Sequence, residues 1–102
     1  MKKRPYRSYK ESLLKSLKDP REAELYLNAA LEENDMEVFL LALYHVAKAF
    51  GLSRLAEKAK IHRVSLHKML SKRGNPEFSS ILKLIHASGF QFAIKPRLKH
   101  AA

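Results

Sequence analysis

Cysteine is absent from the 102 residues. That excludes a disulfide framework and thiolate chemistry, and it suits a reducing, cytoplasmic setting. Apolar runs are short. None approaches the length of a membrane span. No apolar stretch with a small-residue cleavage site follows the basic N-terminus, so a secretory signal is not expected. Glycine is scarce, with 3 residues, and no glycine-rich phosphate loop can be drawn. No Ser/His/Asp or Cys/His arrangement stands out, so neither an enzyme nor a cofactor is expected.

Acidic residues are the fourth shortage, and it is a local one. Residues 38–102 hold twelve Lys/Arg against two acids, and residues 1–18 hold seven against one. Residues 19–37 reverse the balance, with seven acids and one Arg. The chain as a whole carries +10. A basic protein with an acidic insert is suited to a polyanion on one face and to a separate contact elsewhere. A solvated basic surface is the plainer account of the same charge.

What is present is helical periodicity. Ser8 and Glu11 form a capping-box pattern ahead of Leu13, Leu14 and Leu17, predicting a helix over 9–18. Asp19 and Pro20 open a second, over 20–33, with Ala23, Tyr26, Leu27, Ala30 and Leu31 on one stripe. Asn34 and Asp35 separate it from a third, over 36–50. There Val38, Phe39, Leu40, Leu41, Leu43, Val46, Ala47 and Phe50 cover more than one face, as in the central helix of a bundle. Gly51 stops it.

The stretch LSRLAEKAKIHRVSLHKML, residues 52–70, is apolar every third or fourth position, falters, and resumes. Ser53 reads as the N-cap of a helix through Ala59. Ile61 is out of phase with Ala56, so a turn over 60–62 and a new helix from Arg63 are expected. No Gly or Pro marks that turn. Gly74 fits a left-handed helix end, and Asn75 and Pro76 the start of a helix over 76–88 bearing Phe78, Ile81, Leu82 and Ile85. Gly89 ends it. Residues 90–95 alternate Phe90, Phe92 and Ile94 with polar positions, a strand pattern. Residues 96–102 read as a basic tail.

The expected fold is therefore all-α: a compact helix bundle containing a lambda-repressor-like helix-turn-helix, with a short C-terminal strand. Ala56 allows the close crossing, Ile61 plugs the turn, and Leu66 and Met69 face inward. The expected divisions are 1–34 as an N-terminal helical extension, 35–95 as the DNA-binding domain and 96–102 as the tail. In the major groove, the second helix presents Arg63, Val64, Ser65, His67 and Lys68 to bases, with Arg63 suited to guanine and Val64 to a thymine methyl. Lys60, Lys72 and Arg73 suit phosphates, and the helix starts at Ser53 and Asn75 offer N–H groups to them. Each of these residues has solvation as its plainer role. His62 and His67, five apart, diverge around a helix and do not form a metal pair. His45 reads as a packed or edge histidine. The acids at 32–37 read as a solvated turn rather than a cation site.

Residues 19–95 resemble a family of small helix-turn-helix proteins described as probable addiction-module antidotes, related to HigA-type antitoxins. The resemblance lies in YLNAALEE at 26–33, FLLAL at 39–43 with Val46 and Ala47, Leu55-Ala56, Ser65-Leu66 with Lys68, and GNP at 74–76 with Leu82-Lys83. It implies an operator-binding dimer that represses its own operon and neutralises a RelE/HigB-like ribonuclease toxin. Lys60 stands where the turn of this family usually has Gly. His62 stands where Ser would cap the recognition helix; it is expected at the DNA with the other residues, but without the usual serine contact.

Two further expectations follow. A symmetric homodimer is expected through Phe90, Phe92, Ile94 and the helix over 76–88, because an isolated strand invites pairing across a two-fold axis. The acidic residues Glu22, Glu24, Glu32, Glu33 and Asp35 suit the basic cleft of a toxin, with cover for the central helix as their segment's plainer role. The alternative function is a protein- or RNA-binding helical module with no operator.

Overall fold

A computed structural model describes residues 5–98 and is all-helical. Six helices follow in order among the described residues: α1 Pro5–Ser16, α2 Pro20–Glu32, α3 Met36–Phe50, α4 Leu52–Ala59, α5 Arg63–Met69 and α6 Phe78–Ala87. The N-terminal four and C-terminal four residues, with part of the basic N-terminus and tail, lie outside the described residues.

Local chemistry sets most of the boundaries. Asp19 caps α2 by accepting from the Arg21 N–H at 2.9 Å, and Asp35 caps α3 by accepting from the Glu37 N–H at 2.9 Å. Each aspartate satisfies one of the orphan N–H groups of a first turn. Asn34 makes the corner between them with φ 57°, a conformation its short side chain tolerates. The first helix departs from expectation. It begins at Pro5, so Ser8 lies inside it and not at its cap. Proline costs nothing at a first helical position, where its missing N–H would have no partner.

Gly51 has φ 115° and lets the chain turn by 102° between α3 and α4. α4 starts directly on this corner at Leu52, so Ser53 is a first-turn residue and not the N-cap. The expected break after Ala59 is present. Lys60 is left-handed at φ 58°, ψ 44°. The Ile61 N–H donates to the Ala56 carbonyl at 2.9 Å and the Lys60 N–H to the Glu57 carbonyl at 3.2 Å. This is a Schellman end, in which the residue after the left-handed one packs back on the helix. Ile61 does so, half-buried against the core.

Gly74 is not left-handed, contrary to expectation. Its requirement is space. A Cβ there would collide with the carbonyl oxygen of Met69 and lie 2.7 Å from that of Lys68. Asn75 and Pro76 precede α6 without entering it, and Glu77 stands at its N-cap with no side-chain hydrogen bond. Proline disfavours helical backbone at the residue before it, and here the helix starts two residues after it. Gly89, at φ 94°, repeats the Schellman pattern, with Phe90 N–H donating to Ile85 at 3.0 Å.

The core is one cluster to which every helix from α2 to α6 and the residue after α1, Leu17, contribute. Leu43, Leu55, Leu66 and Leu84, from α3, α4, α5 and α6, lose all contact with solvent. Burial of each contributes about 1.5–3 kcal/mol. α3 lies at the centre through Phe39, Leu40, Ala42, Leu43, Val46 and Ala47. The apolar stripes are narrower than the sequence suggests. Val38, Leu41, Leu31 and Phe78 are exposed, and Leu84 rather than Phe78 anchors α6. The expected strand is absent among the described residues. Residues 91–98 form neither helix nor strand, and no second strand is present among the described residues to complete a ladder. Phe90 and Phe92 instead fold back on the core, Phe92 meeting the rings of Phe39 and Phe78 at 6.4 and 5.6 Å.

Candidate functional site

α5 is short and two-sided. Leu66 is fully buried, Met69 is half-buried, and Leu70 closes the end. These three hold the helix against α4 and the core. Everything between them faces water. Ser53, Lys60, His62, Arg63, Val64, Ser65, His67, Lys68, Lys72, Arg73 and Asn75 are all exposed.

Two of them are joined. The Arg63 guanidinium donates to Ser53 Oγ at 2.7 Å across the corner between α4 and α5. Arginine normally loses much rotamer freedom on binding, and this bond restricts part of that freedom beforehand. His62 occupies the N-cap of α5 with no side-chain hydrogen bond to the helix, so its ring does no capping work. Val64 is 61% exposed, an aliphatic side chain with no packing role.

The structure also gathers residues that the sequence reading missed. The Tyr44 ring lies 6.1 Å from His67, and Lys48 Nζ sits 5.6 Å from the Tyr44 ring. Arg54 and Lys58 lie over Phe50 at 4.4 and 5.7 Å. The pairs Tyr44/Lys48 and Arg54/Lys58 have i, i+4 spacing within one helix, which was legible, whereas Phe50 and Arg54 meet across the 102° corner at Gly51. The meeting of Tyr44 with His67 requires the α3–α5 packing and was not legible. The basic surface of α5 therefore adjoins Lys48, near the end of α3, through Tyr44. Arg54 and Lys58 lie over Phe50, and Phe50 and Arg54 border a different hollow with Leu17, Pro20 and Phe90. Aromatic faces steady both sets of cations.

The acidic residues Glu22, Glu24, Glu32, Glu33 and Asp35 are exposed on α2 and its following turn. They are not equivalent. Glu24 and Glu32 line a groove of about 840 Å³ between α2 and residues 89–95. Asp35 borders an adjoining notch of about 270 Å³ with Leu31, Met36, Phe78 and Phe92, while its carboxylate caps α3. Glu22 stands in the first turn of α2, and Glu33 at its C-cap, eleven residues on. The interval is close to three turns, so both share a stripe. Among the described residues no group of three or more His, Asp or Glu is placed to hold a metal ion. No single helix among them is long and apolar enough to cross a membrane.

His45 joins α3 to α2. The Tyr26 hydroxyl lies 2.8 Å from His45 Nδ1. Burial holds the imidazole below its ordinary value of 6.5, and the charges of Lys10 and Lys48 push the same way. Burial raises the Tyr26 phenol, with Tyr9 adding to it. Both shifts favour a neutral pair in which the phenol O–H donates to Nδ1.

A family model described as "Probable addiction module antidote protein" matches residues 10–96. An uncharacterized protein of Haemophilus influenzae (strain ATCC 51907 / DSM 11121 / KW20 / Rd) is 39% identical over 79 residues, covering 78% of this chain and 81% of the relative. No solved structure matches the chain.

Proposed function

The chain belongs to the family of probable addiction module antidote proteins, and from that premise we propose that it is a HigA-type antitoxin. In this reading it is a cytoplasmic, non-enzymatic, homodimeric repressor that binds the DNA of its own operon and neutralises a RelE/HigB-like toxin. The observation that carries the DNA half is the exposed polar face of α5, set at a left-handed turn against α4 and adjoined through Tyr44 by Lys48. α4, the turn and α5 act as a helix-turn-helix, and residues 35–95 are the DNA-binding part.

The roles follow from placement. Arg63, at the first turn of α5 and oriented by Ser53, forks onto guanine O6 and N7. Val64 meets a thymine methyl. Ser65, His67 and Lys68 face the groove further along. Lys60, Lys72 and Arg73 hold phosphates at the two ends of the helix, and Asn75 lies beside them. The first-turn N–H groups around Ser53 point to a phosphate, since no side chain caps α4. His62, at the N-cap position of α5 but making no cap with its side chain, offers a ring nitrogen to a phosphate or a base.

The acidic surface carries the toxin half. A ribonuclease toxin needs a basic cleft for RNA, and carboxylates steer such a cleft toward them. They also repel DNA, so the acidic end is directed away from the operator.

The test measures binding of the full chain to DNA from upstream of its own reading frame and to random duplex, across a salt series. Affinity falls steeply with salt on both. Arg63→Ala costs about 1–3 kcal/mol on the specific site and much less on random DNA. Equal loss on both would reduce Arg63 to a phosphate contact and remove the base-reading role. In the same chain, Glu22→Lys with Glu33→Lys abolishes neutralisation of the co-expressed toxin and leaves promoter binding intact. Unchanged neutralisation would take the toxin off this stripe.

A further inference from the structure

The groove and notch beside α2 form a surface that the DNA reading leaves unused. The two share Leu31, Phe39 and Phe92 and so are continuous. Their floor is apolar and unusually open to water. Phe78 is 62% exposed and Met36 54%. On the α2 side the wall carries Glu24 and Glu32. On the other side runs the extended segment after α6, with Ile94 99% exposed, Leu98 68% exposed, and Lys95 and Arg97 between them. An aliphatic side chain that is entirely hydrated is a poor end state for a segment whose neighbours Phe90 and Phe92 are packed.

The two sides are opposite in charge and alike in being apolar. They also lie side by side on one chain. A two-fold interface needs this arrangement, because one patch must supply both the receptor and the inserted element. We propose that a second copy of the chain occupies this groove: its Ile94 and Leu98 cover the floor around Leu31 and Phe78, and its Lys95 and Arg97 meet Glu24 and Glu32, reciprocally.

The proposal deepens the repressor reading and rests on it for its purpose. One α5 reads only a few base pairs, and two half-sites about 34–36 Å apart need a dimer. It also divides the acids of α2. Glu24 and Glu32 serve self-association, leaving Glu22 and Glu33 on the stripe assigned to the toxin.

Self-association is measured without DNA, by sedimentation and light scattering at tens of micromolar. The full chain has a mass near twice 11.7 kDa. Ile94→Ser, at an exposed position, weakens the dimer on the order of tenfold or more, since each dimer holds the contact twice. The decisive pair of variants is E24K/E32K and K95E/R97E. Each alone sets like charge against like across the two-fold axis and is monomeric. Mixed in equal amounts they form a heterodimer, in which both crossings are again complementary. A tail pairing only with its own groove would gain nothing from mixing. A monomeric wild-type chain, an Ile94→Ser dimer of unchanged affinity, or a mixture that stays monomeric overturns the proposal. Promoter binding by the same preparations is read separately, so a failed interface and a failed repressor reading give different results.

Discussion

Lys60 is the one lysine in the described chain with positive φ, and replacing it with glycine is expected to stabilise the protein. The left-handed conformation brings Cβ against the following carbonyl and costs about 1–2 kcal/mol for a residue other than glycine. Glycine removes that cost. It also adds freedom to the unfolded chain, which takes back about 0.4–1 kcal/mol. The net gain for Lys60→Gly is about 0.5–1 kcal/mol, or a rise in Tm of roughly 2–8 °C for a domain of this size. Charge confuses the result, because a lysine at a helix C-terminus is itself mildly favourable. Lys60→Ala resolves this. It removes the charge and keeps Cβ, so it leaves Tm unchanged or slightly lower. The Gly-minus-Ala difference isolates the backbone. Thermal melts followed by circular dichroism at neutral pH read all three chains. If alanine raises Tm as much as glycine, the gain comes from charge and the strain argument fails. Both variants should also weaken binding to specific and random DNA alike and lower the salt slope by about 1, as expected for one lost phosphate contact.

Other perturbations test other parts of the reading. Leu66→Ala removes a fully buried anchor of α5 and is expected to cost about 2–5 kcal/mol, measured by urea unfolding; a loss below 1 kcal/mol would mean α5 is not held by the core. Gly74→Ala should be destabilising by more than the roughly 1 kcal/mol typical of point changes, because the new methyl meets the Met69 and Lys68 carbonyls; a neutral or stabilising outcome would refute the close approach. His45 has a folded pKa below 6.5 through burial and the charges of Lys10 and Lys48, with the Tyr26 and Tyr44 rings as its aromatic neighbours. The unfolded chain therefore takes up the proton first, so this contribution to stability is complete above pH 6.5 and is lost as pH falls through the folded value. His45→Gln should flatten that part of the pH profile of Tm, and an unchanged slope would assign it to other groups.

Features that depend on neighbours a few residues apart were legible from the sequence. Asp19 and Asp35 cap because an aspartate oxygen reaches an N–H two residues on. Gly51 and Gly89 stop helices because each sits in backbone that side chains disfavour. The break at 60–62 follows from the phase of Ile61 against Ala56, and its hydrogen bonds span only five residues. The charge division between 19–37 and 38–102 is composition alone, and the exposure of the polar positions of α5 follows once Leu66 and Met69 are known to face inward.

Tertiary structure decided what depends on residues far apart in the chain. Whether Phe90, Phe92 and Ile94 make a strand depends on a partner strand, and the described residues supply none; two of the three pack as side chains and the third stays in water. Ser53 looks like a cap by residue type, but the 102° corner at Gly51 puts it inside α4, where its hydroxyl takes the Arg63 guanidinium from ten residues away. Gly74 was the right residue for a different reason, because the carbonyls it must pass belong to α5. Tyr44 and Lys48 join the basic face only because α3 packs beside His67. Helix propensity, capping and periodicity act over one or two turns, so a sequence displays them directly. Packing selects one face from several apolar candidates by shape, and that choice exists only when all the helices are in place.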